Sequence, residues 1–146
     1  MNTPRFELPN IMVGQAHKEI THNEALVRID ALLHMSVVAA ATNPPILNVS
    51  DAGKSWIVGA GATGKWMGQD LAVATWSGAD WDFFRPAEGM AVWDQGNSVE
   101  LRYVDGIWQS PSAVPSPQGG GVIDTEARSA ITQLLMQLRL SGIIGQ

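Results

Sequence analysis

Apolar positions recur at helical spacing near both ends of the chain and at strand spacing between them. Leu26, Ile29, Leu33 and Val37 fall three to four apart, and Thr21 and Glu24 have the spacing of a capping box, so a helix is predicted over 20–42. Asn43-Pro44-Pro45 ends it, because a residue before proline is pushed out of the α region. Ala127, Ile131, Leu134 and Leu138 are spaced 4, 3 and 4, with Ala130 and Leu135 widening the stripe. This predicts an amphipathic helix from about Asp124 to Leu140, capped by Asp124 or Thr125 and followed by Gly142. Between them, strands are expected at Ser55–Gly59, Leu71–Trp76, Trp81–Arg85, Met90–Asp94 and Val99–Val104. Two aromatic–turn–aromatic units stand out, Trp76 to Trp81 and Tyr103 to Trp108, and Asp105-Gly106 tolerates the positive φ values of a two-residue hairpin turn.

The predicted class is α+β: an N-terminal helix, a small Trp-rich antiparallel β-domain of about five strands, and a C-terminal amphipathic helix. The segments are an extended arm over 1–19, the helix over 20–42, the β-domain over 46–108, a Pro/Gly linker over 109–121, and the helix and tail over 122–146. All six tryptophans and the single tyrosine lie between Trp56 and Trp108. Each tryptophan offers a large rigid surface and one N–H, suited to a small core or to the face of a ligand.

Composition narrows the function. The 146 residues are 45% apolar, as in a globular protein. A net charge of −5 without a cluster of Lys or Arg argues against nucleic acid. No apolar run approaches the roughly 20 residues of a membrane span, and the N-terminus does not resemble a signal peptide, so assembly in the cytoplasm is expected. With no cysteine, disulfides and thiolate metal sites are excluded.

Several catalytic patterns lack their context. Gly59 to Lys65 resembles a phosphate loop, but Trp66 stands where the magnesium-binding hydroxyl is required, so a glycine-rich turn is expected. His17, His22 and His34 lack the spacing of a zinc helix. Asp80, Asp82, Glu88 and Asp94 accompany tryptophans, but nothing places a pair at glycosidase spacing. No catalytic residue, metal or cofactor is expected, and the chain reads as a non-enzyme.

Leu8-Pro9-Asn10-Ile11, Gly14 to Lys18 and Thr21 to Leu26 resemble the opening of the DUF2793 family. Trp56 to Gly64 with Trp66 and Gly68 is similar to its second block, and Phe83, Pro86, Glu88-Gly89, Trp93, Asp105-Gly106 and Trp108 to its third. The stretch from Asp124 resembles the terminal helix of many members. The resemblance implies a virion context, in bacteriophages and gene transfer agents, with head spikes, tail fibres and host attachment. Typical relatives continue into a fibre or receptor-binding module where this sequence ends at Gln146, so a base or adaptor is expected.

The expected protein is therefore an oligomeric head-spike or tail-fibre base. Its partners would be copies of itself, a capsid or tail component, and a distal fibre. The expected interface between copies is Leu26, Ile29, Leu33, Ala127, Ile131, Leu134 and Leu138, with Phe6, Leu8, Ile11 and Val13 as an arm docking onto the particle, separate from the core. The alternative is a carbohydrate-binding module holding host polysaccharide through Trp66, Trp76, Trp81 and Trp108.

Overall fold

Helix α1 (Lys18–Leu32) opens the computed structural model, which describes residues 2–11, 14 and 18–145. It ends well before the expected position 42. His34 adopts φ of 45°, in the left-handed region, and the chain leaves as two short strands, β1 (Ser36–Val37) and β2 (Ala40–Ala41). Two causes override the helical spacing. Val37 and Val38 are β-branched, and a partner is waiting in β3 (Ser55–Val58), whose four residues are all buried. Val38 N donates to Ser55 O at 2.8 Å, Ile57 N donates to Ala39 O at 3.1 Å, and β2 runs parallel to β3 with Ala40 opposite Ile57.

From β3 the chain makes an antiparallel meander through β4 (Val73–Trp76) and β5 (Trp81–Phe84). The buried polar pair across β3 and β4 is satisfied, since the hydroxyls of Ser55 and Thr75 lie 2.8 Å apart. A second meander follows, β6 (Ala91–Asp94), β7 (Val99–Val104) and β8 (Ile107–Gln109), and then helix α2 (Thr125–Leu140). The α+β class stands, with eight strands in two small sheets among the described residues. The five expected strands lie within two residues of their predicted ends; β1, β2 and β8 are additional, and the parallel β2–β3 pair departs from the all-antiparallel expectation. Asp105 and Gly106 both have positive φ, 51° and 78°, and close the predicted hairpin with Tyr103 opposite Trp108.

The chain divides into two units, 1–86 and 87–146. The boundary falls inside the 46–108 segment expected as one β-domain, because each meander closes its own antiparallel ladder. The first unit has the larger core, built on Met35, Val37, Trp56, Ile57, Val58, Trp66, Ala72, Val73, Ala74 and Phe84.

The N-terminal arm corrects a second expectation: its described residues belong to the first unit's packing. Asp30, almost wholly buried, accepts from Thr3 Oγ1 at 2.7 Å, Arg5 N at 2.9 Å and Phe6 N at 2.7 Å. Arg5 in turn donates to the carbonyls of Asp30, Ala31, Leu33 and His34, the unsatisfied end of α1. Seven residues earlier, Asn23 exchanges hydrogen bonds with both backbone groups of Ile11, at 2.9 and 3.2 Å. The helix face turned to its own unit thus carries Asn23, Leu26, Val27, Asp30 and Ala31, and Ile29 and Leu33 remain exposed. An arm with two prolines has few ladder partners, and α1 supplies the missing acceptors from its side chains.

Candidate functional site

Helix α2 presents the largest set of expected functional residues on one element. Asp124 caps it, its carboxylate accepting from Ala127 N at 2.8 Å, and Glu126 lies in the first turn, where negative charge is favoured. At the other end Gly142, with φ of 70°, lets the chain fold back so that Ile143 N reaches Leu138 O at 3.0 Å and Gly142 N reaches Arg139 O at 2.9 Å. The linker is stitched to both ends of α2: Arg139 donates to Val114 O at 2.5 Å and Gly145 N to Ser112 O at 3.1 Å beside its C-terminus, and Arg128 near its N-terminus reaches Gly119 O.

Successive residues on a helix are turned by about 100°. Leu135 is the only described residue of α2 that is buried, and Leu138, Arg139 and Arg128 are half-buried on the same side. The seam lies on the adjoining side. Ala127 and Ala130 are exposed, as are Ile131 at 44% and Leu134 at 60%, while Leu138 sits at the border of both faces. The helix is therefore anchored by one edge with its apolar stripe uncovered. Among the expected interface residues in and just after α1, Leu26 is half-buried against its own unit, and Ile29 and Leu33 are exposed at 50% and 42%.

The arm residues divide differently. Phe6 is exposed, Leu8 and Ile11 are half-buried, and Val13 and His17 lie outside the described residues.

The four tryptophans expected to grip a glycan are mostly committed to the fold. Trp66 has no exposed surface, so it cannot meet a ligand, and this expectation is withdrawn. Trp81 is the hub of a cluster: its ring centroid lies 5.7 Å from that of Trp56, 5.0 Å from Trp66 and 5.2 Å from Trp76, the first two edge-on. Trp76 also donates its indole N–H to Asn48 O at 2.8 Å, and Trp108 packs edge-on against Tyr103 at 5.4 Å. The tryptophan left most open is one outside the expected glycan contacts, Trp93, at 37%. It lines a cleft of about 470 Å³ with Glu100, Arg102 and Gln109. The alternation along β6, β7 and β8 was the available signal, since it places these four on one face of the meander.

Other candidate chemistry is absorbed by local structure. The Gly59–Lys65 segment is a turn leading into a short 3-10 helix (Gly64–Trp66), and Gly61 N and Ala62 N, amides that a phosphate loop would offer, donate to Asp70 at 3.1 and 3.2 Å. Lys65 pairs with Asp80 at 2.8 Å across an exposed surface. That hydrogen bond, together with one from Trp81 N, holds the Asp80 carboxyl below the usual carboxylate range. Asp94 spends both oxygens on its own turn, accepting from Gly96 N, Asn97 N and Asn97 Nδ2. Burial pushes the Asp82 carboxyl up, Arg28 opposes the shift, and Asp80 and Glu24 add to it. Among the described residues, no three His, Cys, Asp or Glu side chains are grouped to hold a metal, and no helix is long and apolar enough to cross a membrane.

The family described as "Protein of unknown function (DUF2793)" matches residues 22–109. The chain belongs to this family. The matched stretch of DUF2793 carries α1 from His22 and both meanders through Gln109, so the N-terminal arm and α2 lie outside it. No curated protein and no solved structure matches the chain.

Proposed function

We propose that this protein is a structural component of a phage or gene-transfer-agent particle, a spike or fibre base that associates with copies of itself through α2. One observation carries the reading: a helix fixed to its own unit along one edge leaves Ala127, Ile131 and Leu134 in water. Covering each Ile or Leu is worth about 1.5 to 3 kcal/mol. A seam spaced 4, 3 and 4 is self-complementary, so the surface that fits it best is the same seam of a second copy. In a symmetric assembly such pairing builds a closed ring or bundle. The ring would join a capsid or tail component to a distal fibre, which is a binding and not a catalytic role.

The test is molar mass by light scattering on the full chain. The native protein should exceed one chain mass, and I131D/L134D should return it to 15.7 kDa without loss of strand signal in circular dichroism. A native protein that is monomeric at all concentrations reached, or a double variant that still associates, rejects α2 as the interface.

A further inference from the structure

Register brings unlike chemistry onto one face of the second meander. Trp93 pairs with Glu100 across β6 and β7, and Arg102 pairs with Gln109 across β7 and β8. Side chains alternate along each strand, so these four share a face with Val104, while Val92, Val99, Leu101, Tyr103 and Trp108 occupy the other. The cleft they line is completed by Ser110, Pro111 and Ser141–Ile143. Its 470 Å³ falls within the range of about 300 to 1,000 Å³ typical of small-molecule sites.

The groups in it are held in place. Trp93 stands next to the Asp94 turn, and the backbone of Gly142 lies so close that an added Cβ would be 2.5 Å from its Cζ3. Glu100 Oε1 receives both Nε and Nη2 of Arg102, at 3.0 and 2.8 Å, which leaves Oε2 as a further acceptor with no hydrogen bond among the described residues. Gln109 donates Nε2 to Val104 O at 3.2 Å, which fixes the amide and leaves Oε1 to accept. The ion pair is not what holds the hairpin: the two side chains are 63% and 45% exposed, and such pairs contribute only about 0 to 1 kcal/mol.

The geometry points to a binding site for a neutral saccharide, with a pyranose ring stacked on Trp93 and its hydroxyls bridged by Glu100, Arg102 and Gln109. A pyranose with equatorial hydroxyls has an apolar C–H face for the indole and a rim of groups that both donate and accept. A carboxylate beside a guanidinium supplies acceptors and donors side by side, the arrangement that neighbouring hydroxyls require. Charge selects against the alternatives. Glu100 and Arg102 cancel, so neither an anion nor a cation gains from the cleft, and a wholly apolar ligand would strip water from the pair without replacing its hydrogen bonds.

The inference goes beyond assembly and is tested separately, by calorimetric titration of the full chain with cellotetraose and with tetra-N-acetylchitotetraose. Saturable binding with Kd of about 1 mM or tighter is expected for at least one of them. Trp93→Ala and Gln109→Ala should each weaken it about tenfold or more. Because Gly142 packs on Trp93, the first variant also alters the tail; Gln109→Ala touches no such packing and carries the test alone if the first misfolds. Failure of both sugars to bind at about 10 mM, or binding that survives Gln109→Ala, overturns the proposal.

Discussion

The two units use tryptophan in opposite ways. In the first, Trp56, Trp66 and Trp76 pack around Trp81, and the indole N–H of buried Trp66 finds no acceptor among the described residues. In the second, Trp108 pairs with Tyr103, and Trp93 is packed along one edge by Gly142 yet stays 37% exposed. Side-chain chemistry is the same in both places; what differs is the supply of apolar neighbours. The first unit has Val58, Ala62, Ala74, Leu47 and Phe83 to close around its rings. The second has a three-strand meander with Val92, Val99, Leu101, Tyr103 and Trp108 on one face, while Trp93, Glu100, Arg102 and Gln109 share the other with Val104. A tryptophan-rich sequence thus divides into a part that makes a core and a part that makes a surface.

Truncation breaks this contrast most directly. Trp66→Ala should cost about 3 to 5 kcal/mol, the range for emptying a buried aromatic site, whereas Trp93→Ala should cost about 1 kcal/mol. Urea unfolding of both variants measures the difference. Trp66→Phe should lose less than half as much as Trp66→Ala, because it retains a ring and removes an N–H that costs about 1 to 3 kcal/mol when buried without a partner. Equal destabilisation at positions 66 and 93 would show that the second unit packs its tryptophan as the first does.

The next largest effect concerns the arm, which belongs to the first unit alone. Asp30→Ala leaves Thr3 Oγ1, Arg5 N and Phe6 N without their acceptor, and should cost about 3 kcal/mol. Amide exchange in the last turn of α1 should quicken in the same variant, since Arg5 would no longer be held over the carbonyls of Ala31, Leu33 and His34. Exchange in β6–β8 should stay as it was. An Asp30→Ala protein with native stability would return the arm to the status of a free docking segment.

Legibility followed the range of the interactions involved. The five central strands, the Asp105-Gly106 hairpin and the caps of α2 are written in neighbouring residues, so alternation, turn chemistry and capping found them. The end of α1 was lost because the apolar spacing of Leu33 and Val37 continues past a boundary set by β3, some 20 residues on. The arm was misplaced for a related reason: apolar Phe6, Leu8 and Ile11 drew attention, but polar atoms hold it. Asn23 and Asp30, seven apart and so on one helical face, were the signal that went unread. Among the tryptophans, the sequence marked those in aromatic–turn–aromatic units, and these are the ones whose partners cover them. Trp93 has no aromatic partner nearby in sequence and is the one left open.

The smallest expected effect sharpens the comparison by electrostatics. Asp82 lies in the first unit with Glu24 and Arg28 around it, and burial raises its carboxyl above the ordinary value, with Asp80 and Glu24 adding to what Arg28 opposes. The folded chain therefore holds this proton more tightly than the unfolded chain. The stabilisation that follows is fully present below the unfolded carboxylate's pKa and is lost as pH rises through the raised one. At neutral pH the ionised group weighs against folding, so Asp82→Asn should raise stability, by no more than about 0.5 kcal/mol given its partial exposure to screening solvent. The gain should shrink as pH falls into the range where Asp82 is protonated anyway. Asp80→Asn should do the reverse. Its carboxyl is held low by Lys65, so the native pair contributes above the unfolded pKa and is lost as pH falls through the depressed one. Melting temperatures of both variants from pH 3 to pH 7 measure the two slopes. Slopes of the same sign would mean that the burial of Asp82, and with it the closed character of the first unit around β5, is wrong.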